Sequence, residues 1–196
     1  MNLIDGIASY DVYLIYVKYV KIQRYIDFKR CKNTGNGGNM EHSFTYETKI
    51  GKITITECDS QLISIDFGES NPKDSNIMET PFIKEVQKEL EEYFNGTRKT
   101  FQLPLALKGT PFQQEVWKAL MTIPYGETMT YKQIAEAIGN PKACRAVGMA
   151  NNRNPIPIII PCHRVIGSNG ALVGYGGGLH IKEMLLEMED NKHANA

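Results

Sequence analysis

Pro155-Ile156-Pro157-Ile158-Ile159-Ile160-Pro161-Cys162-His163-Arg164-Val165 is an apolar run that ends on a cysteine and a histidine, just before a glycine-rich segment. A short apolar run dominated by β-branched isoleucine reads as a buried strand. The residues at its end carry chemistry. Only the thiolate of cysteine is a strong nucleophile, and a neighbouring imidazole or positive charge lowers its pKa from about 8.5. Adjacent strand residues point to opposite faces. Cys162 and His163 therefore cooperate only if the chain leaves strand geometry there, or if a water bridges the two side chains. Pro161 favours an irregular turn at that point.

Upstream of this stretch, two helix starts are well marked. Thr110-Pro111-Phe112-Gln113 combines an N-cap threonine, proline at the first helical position and a glutamine closing a capping box. Phe112, Val116, Ala119, Leu120 and Ile123 form its apolar stripe. Pro124-Tyr125-Gly126-Glu127 is a turn, and Thr130-Tyr131-Lys132-Gln133 repeats the capping box ahead of Ile134, Ala135 and Ile138. Gly139 stops that helix, Asn140 is expected to cap the next, and Pro141 to start it. Two short helices joined by a glycine-containing turn make a helix-turn-helix candidate. In the second, Ala143, Ala146, Gly148 and Ala150 leave one side almost bare, with Arg145 projecting from it. Small residues let two helices pack closely; they equally let a helix backbone press into a nucleic-acid groove, and both readings stay open. Cys144, in the same helix, reads as a small packing residue.

Downstream, Gly174-Tyr175-Gly176-Gly177-Gly178 is a loop able to bring backbone N–H groups close to a ligand. It lacks the strand-GxGxxG-helix context of a dinucleotide site. A last helix is expected from about Leu179 to Glu189, which lies 26 residues after His163 and folds back to orient its imidazole.

The first half reads as a small structural α+β unit. Phe44, Tyr46, Thr48, Ile50, Ile53 and Ile55 alternate as a hairpin with its turn near Lys49-Ile50-Gly51-Lys52. Leu62, Ile63, Ile65 and Phe67 give a third strand, and Gly68 to Asn76 a polar loop. Phe82, Val86, Leu90 and Phe94 mark a helix over Pro81 to Phe94, stopped by Asn95-Gly96. Phe101 to Leu105 reads as a further strand. Residues 1–39 differ from the rest: five of the ten tyrosines fall in the first 25 positions, and Asn33-Thr34-Gly35-Asn36-Gly37-Gly38-Asn39 is a linker. Tyr13, Tyr16, Val17 and Val20 have helical spacing. With no basic n-region this is a poor signal peptide, and the expectation is a flexible or dispensable extension, or an upstream start codon assigned in error.

The bulk properties exclude more than they assign. With 22 basic and 22 acidic residues the whole-chain charge is uninformative, and 42% hydrophobic residues suffice for a core. Between Thr130 and Gly170, however, Lys132, Lys142, Arg145, Arg153 and Arg164 face one acid, Glu136. This is either a solvated positive face or a phosphate-binding surface. Cys31, Cys58, Cys144 and Cys162, with His42, His163, His180 and His193, show no zinc-ligand spacing, and a disulfide framework is not expected, so a cytoplasmic setting is the default. No stretch reaches the roughly 18 to 20 apolar residues of a membrane helix.

Ile160-Pro161-Cys162-His163-Arg164-Val165, the preceding Asn154-Pro155-Ile156-Pro157, and the glycine-rich loop with Leu179 and Lys182-Glu183 resemble the methylated-DNA–protein-cysteine methyltransferases, also called O6-alkylguanine-DNA alkyltransferases. The Pro111–Ile138 region and Asn140-Pro141-Lys142-Ala143 look like the same family. The resemblance is dense from about Gly109 to Glu189, weaker from Met40 to Lys108, and does not reach residues 1–39. It implies an α+β protein: a small N-terminal antiparallel-sheet, ribonuclease-H-like domain over 40–108, and a helical domain over 109–190 with a winged-helix or helix-turn-helix DNA-binding element. Residues 191–196 are expected to be a disordered tail.

The resemblance also implies roles. Cys162 is the alkyl acceptor, His163 its general base through a water, and Glu189 the residue polarising His163. Asn154 braces the turn, Tyr131 donates to the base and helps rotate the nucleotide, and Lys182 offsets charge on the leaving guanine. Arg145 fills the gap left by the flipped base, on a DNA-facing surface shared with Asn140, Ala143, Ala146 and Gly148. Val165, Tyr175, Gly176 and Gly177 line the base pocket. The expected partner is double-stranded DNA containing alkylated bases, bound by a monomer without cofactor, metal or membrane. This sequence departs from the family pattern at Cys144, where a small alanine-like residue is expected, and at Gly176, where some relatives carry a larger polar residue. The four-cysteine zinc domain of some bacterial relatives is absent. Three other readings are a non-catalytic protein that flags alkyl lesions, whose class lacks the acceptor cysteine, a Cys-His-Glu thiol hydrolase, which leaves the helix-turn-helix unexplained, and a plain DNA-binding module with a structural cysteine, which predicts no loss of function on Cys162→Ser beyond packing.

Overall fold

This computed structural model describes residues 40–70, 72 and 75–190. The expectations for residues 1–39 and 191–196 lie outside the described residues.

The first half is built on a four-stranded sheet. Strands β1 (Glu41–Thr48), β2 (Gly51–Cys58) and β3 (Gln61–Phe67) form an antiparallel meander, and β4 (Ser75–Ile77) lies parallel to β1, giving the order β3-β2-β1-β4. The first hairpin turns where expected, with Gly51 at a φ of 97° that a side chain resists. The second turns at Asp59 and Ser60, which both take positive φ, as a tight primed turn requires. The Glu57 carboxylate fastens it by accepting from the Ser60 N–H at 2.9 Å.

Two expectations change here. β4 falls in the segment expected to be polar loop: Met78 donates its N–H to Ser43 O and the Ser43 and Ser75 hydroxyls meet at 2.8 Å, so backbone pairing wins over composition. Residues 101–105 make only a bridge from Leu105 to Leu62, because Pro104 has no N–H with which to extend a ladder. Cys58 is disulfide-bonded, which the cysteine spacing did not foretell.

Helix α1 (Pro81–Phe94) packs across β1 and β2. Thr80 caps it by accepting from the Ile83 N–H, Pro81 occupies its first turn, and Phe82, Ile83, Val86, Leu90, Tyr93 and Phe94 form its buried face.

The second half holds α2 (Pro111–Leu120), β5 (Met129–Thr130), α3 (Tyr131–Ala137), α4 (Cys144–Asn152), a 3-10 turn (Cys162–Arg164), β6 (Val165–Ile166) and α5 (Leu179–Glu189). Both capping boxes form, Thr110 with Gln113 and Thr130 with Gln133. Gly139, at φ 71°, ends α3 as expected. Helix α4 starts later than expected. Asn140 and Pro141 belong to a turn closed by the Ala143 N–H on Asn140 O, and neither caps nor begins the helix; its first turn has no side-chain cap. Trp117, 1% exposed, donates its indole N–H to Ala150 O at 2.9 Å and locks α2 against α4.

Residues 155–160 are the largest surprise. Ile156 to Ile160 are all buried, as the apolar run required, but they fold as consecutive turns instead of a strand. Pro155 and Pro157 remove ladder donors. The Ile160 N–H closes onto Ile156 O at 2.9 Å, and Ile158 sits at φ 74°, a strained value for a β-branched residue. No helix among the described residues is long and apolar enough to cross a membrane.

Candidate active site

Cys162 opens the 3-10 turn, so the chain leaves strand geometry where the Cys-His pair needs it to. Asn154 builds this corner: its side-chain amide donates to Ile160 O at 2.8 Å while its carbonyl oxygen accepts from the Ile156 N–H at 3.0 Å. Past the turn, β6 pairs with β5, Met129 opposite Val165 and Thr130 opposite Ile166. Thr130 is also the N-cap of α3. One short ladder therefore fixes the cysteine turn to the first helix of the helix-turn-helix.

The Cys162 thiol is free and 4% exposed. Burial pushes its pKa from 9.0 up to about 11, against the pull of the Asn154 amide and the Lys182 charge. Lys182 is fully buried on α5 and donates to Val165 O at 2.5 Å and Val173 O at 3.1 Å. Burial lowers its pKa, and the nearby Cys162 works the other way.

Next in the turn, His163 is fully buried with Nε2 at 2.9 Å from Glu189 Oε1. The anticipated fold-back of the last helix is present. Arg164 grips the same carboxylate through Nε on Oε2 and Nη2 on Oε1, each at 2.9 Å, and donates Nη1 to Ile123 O. The Gly126 N–H adds a bond to Oε2 at 3.2 Å. From α1 the Tyr93 hydroxyl donates to Oε1 at 2.5 Å. Burial pushes the Glu189 pKa upward, but the bonds and charges of His163 and Arg164 outweigh it and hold the group at about 2. Because Glu189 is ionised and only accepts, His163 carries its proton on Nε2. That leaves Nδ1, which has no hydrogen-bond partner among the described residues, as the basic nitrogen. Burial lowers the His163 pKa, so the imidazole is neutral near pH 7.

The pocket side is assembled from three segments. Tyr131, in the first turn of α3, donates its hydroxyl to Val173 O at 3.2 Å and packs its ring over Gly148, where an added Cβ would meet it at 3.8 Å. The Tyr175 hydroxyl is buried without a hydrogen-bond partner among the described residues, and its ring lies 5.5 Å from that of Phe67. The two loop glycines separate: Gly176 has open space around it, whereas a Cβ on Gly177 would strike the Phe67 ring at 2.8 Å. Gly177 therefore allows close approach to Phe67 on β3. The Val165 carbonyl, also expected there, is engaged by Lys182.

On α4, Arg145 is exposed and makes no hydrogen bond or ion pair with any described residue, flanked by the half-exposed Ala143, Ala146 and Gly148. Asn140 is exposed in the turn before it. Cys144 is free and half-exposed. No described cluster of His, Cys, Asp or Glu is arranged to hold a metal ion.

The sequence reading missed three residues. Arg164 counted as part of a surface positive face, yet it is 6% exposed and paired with Glu189. Its place inside the Cys-His-Arg triplet, next to a base needing a fixed carboxylate, was the available signal. Tyr93 belonged to the half assigned a structural role, with no local signature. Asn151, 3% exposed, donates to Cys162 O at 3.4 Å and carried no signal in the sequence reading.

Comparison with known proteins gives the family. Residues 42–107 match the family described as "6-O-methylguanine DNA methyltransferase, ribonuclease-like domain", and residues 111–191 its "DNA binding domain". A methylated-DNA–protein-cysteine methyltransferase of Methanosarcina acetivorans is 52% identical over 148 residues, covering 74% of this chain and 95% of its own. The constitutive enzyme of that name from Bacillus subtilis is 48% identical over 158 residues, covering 76% and 96%. The crystal structure of Mycobacterium tuberculosis OGT in complex with DNA superposes with a TM-score of 0.73 at 47% identity, over 76% of this chain and 93% of that one. By sequence over both halves, and by fold, the chain belongs to the 6-O-methylguanine DNA methyltransferase family.

Proposed function

We propose that this chain repairs DNA by moving the alkyl group of O6-alkylguanine, and by the same chemistry that of O4-alkylthymine, irreversibly onto Cys162. The observation that carries this reading is the free, buried Cys162 thiol on a turn that the β5–β6 ladder ties to the helix-turn-helix and that His163 and Glu189 back.

An alkylated O6 inside a duplex is out of reach of a thiol at the bottom of a pocket, so the nucleotide must swing out. Helix α4 meets the DNA with its small-residue side, and Arg145 fills the space the base leaves. Tyr131 gives up Val173 O to donate to the incoming base. Neutral His163 takes the thiol proton on Nδ1 through a water, while ionised Glu189 holds the opposite nitrogen and stabilises the imidazolium. Sγ then attacks the alkyl carbon in line; the S–C bond forms, the C–O6 bond breaks, and its electron pair stays on the guanine, whose charge Lys182 offsets. A thiol with a high pKa is a stronger nucleophile once deprotonated, but burial keeps Cys162 protonated at rest, so the attack depends on His163 removing the proton. The thioether product has no low-barrier route to hydrolysis, and each molecule acts once.

The test is to map the acceptor. After reaction with a duplex carrying one deuteriomethylated O6-methylguanine, the label is expected on the Cys162 peptide alone, and Cys162→Ala is expected to carry none. Label on Cys144, or tight lesion binding without any label, would overturn the assignment.

A further inference from the structure

We infer that Tyr93 is a positioning residue for the transfer: from the N-terminal unit, and through Glu189, it sets the basicity of His163. This rests on the reading of His163 as the base that serves Cys162.

The geometry is specific. Tyr93 is 1% exposed on α1, and its hydroxyl donates to Glu189 Oε1 at 2.5 Å. That same oxygen lies 2.9 Å from His163 Nε2, and the Tyr93 oxygen is itself 3.5 Å from Nε2. One carboxylate oxygen thus serves both the base and the tyrosine. A donor on a carboxylate withdraws charge that would otherwise stabilise the neighbouring imidazolium. Tyr93 therefore holds His163 toward its neutral, proton-accepting form.

The ring alone does not explain the hydroxyl. Phe94, Phe101 and Tyr125 surround it with centroids at 5.6, 5.4 and 6.1 Å, a cage that phenylalanine would fill equally well. The hydroxyl is there to meet Glu189. Burial, then the Glu189 charge, keep it protonated and donating across the working pH range. The other polar groups facing this cluster are Arg164 and Cys162 on the 3-10 turn, Lys182 on α5, Tyr125 after α2 and Tyr175 in the glycine-rich loop. Arg164 keeps Glu189 ionised when Tyr93 is removed, so the effect of the tyrosine is read on His163.

The experiment is the pH dependence of single-turnover transfer in the wild type and Tyr93→Phe, together with the His163 imidazole titration followed by 15N resonance without substrate. Loss of the hydroxyl frees Glu189 charge and raises the His163 pKa. The acid limb and the titration are both expected to move upward by roughly 0.5 to 1 pH unit. Site-specific 3-fluorotyrosine at position 93, a stronger donor on the same ring, is expected to move both downward; it decides the matter if Tyr93→Phe does not fold. Profiles that superimpose on the wild type, with only a lower melting temperature, would reduce Tyr93 to a strut and overturn the inference. A wild type that transfers no methyl to Cys162 would sink the acceptor reading instead, while the resonance titration still reports on Tyr93.

Discussion

Glu189 takes hydrogen bonds on both oxygens, from Tyr93, His163 and Arg164 on Oε1 and from Arg164 and Gly126 on Oε2. A carboxylate so held is a fixed charge, and its stability contribution has a definite sign. Its folded pKa, about 2, lies below the ordinary 4.5, so the contribution is present above the ordinary value and is lost as pH falls toward about 2. His163, with a lowered pKa, adds in the same direction: it must take up a proton on unfolding below its ordinary 6.5. Denaturant midpoints are therefore expected to fall steadily from about pH 6 downward. Cys162 works at the other end: with a folded pKa raised from 9.0 to about 11, its contribution is present below 9 and lost as pH rises through about 11. Glu189→Gln leaves Arg164 without its partner charge and is expected to cost about 3–5 kcal/mol in urea unfolding. Asn154→Ala unties the two buried backbone groups that shape the cysteine turn. It is expected to cost about 2–3 kcal/mol in the same assay.

At the scale of elements, the two capping boxes and the α1 stripe were legible because their signals are local: a threonine, a proline and a glutamine at fixed spacing specify a helix start wherever the chain goes. Residues 155–160 were misread because an apolar run reports burial and not conformation, and Pro155 and Pro157 decided the conformation. Asn140-Pro141 was misread because an asparagine before a proline suits a turn as well as a cap. In the site, the His163–Glu189 pair was legible from the motif and the final helix, whereas Tyr93 is 70 residues from His163 and reaches it only through the tertiary packing of α1. Helix α4 makes the clearest element-level prediction. Arg145 is exposed and unpaired among the described residues, so Arg145→Ala is expected to leave the melting temperature unchanged. It should lower lesion-DNA affinity and the transfer rate roughly tenfold, while reaction with a free O6-alkylguanine base is unaffected. A parallel loss on the free base would place Arg145 in the chemistry and contradict this role.

Across the whole molecule, the charge balance of the sequence overstated the DNA-facing surface. Arg164 is withdrawn into the core, which leaves Lys132, Lys142, Arg145 and Arg153 as the exposed basic residues of this region, with Lys132 already 3.7 Å from Glu136. With so few phosphate partners, log K for DNA is expected to fall with log salt at a slope no steeper than about −3 to −4. The two halves meet at the reaction centre: Ile65 on β3 donates to Pro155 O at 2.9 Å, Gly177 packs on Phe67, and Tyr93 reaches Glu189. The N-terminal unit is thus one wall of the site, and heat is expected to unfold residues 40–190 in one transition. The central claim is consumption of one thiol per lesion. Its most direct measurement is a titration of the protein with excess duplex containing O6-methylguanine, following restored guanine and intact protein mass together. The account predicts that repair stops at one guanine per protein molecule, with one added methyl on every chain; continued repair beyond equivalence, with the protein mass unchanged, would contradict it.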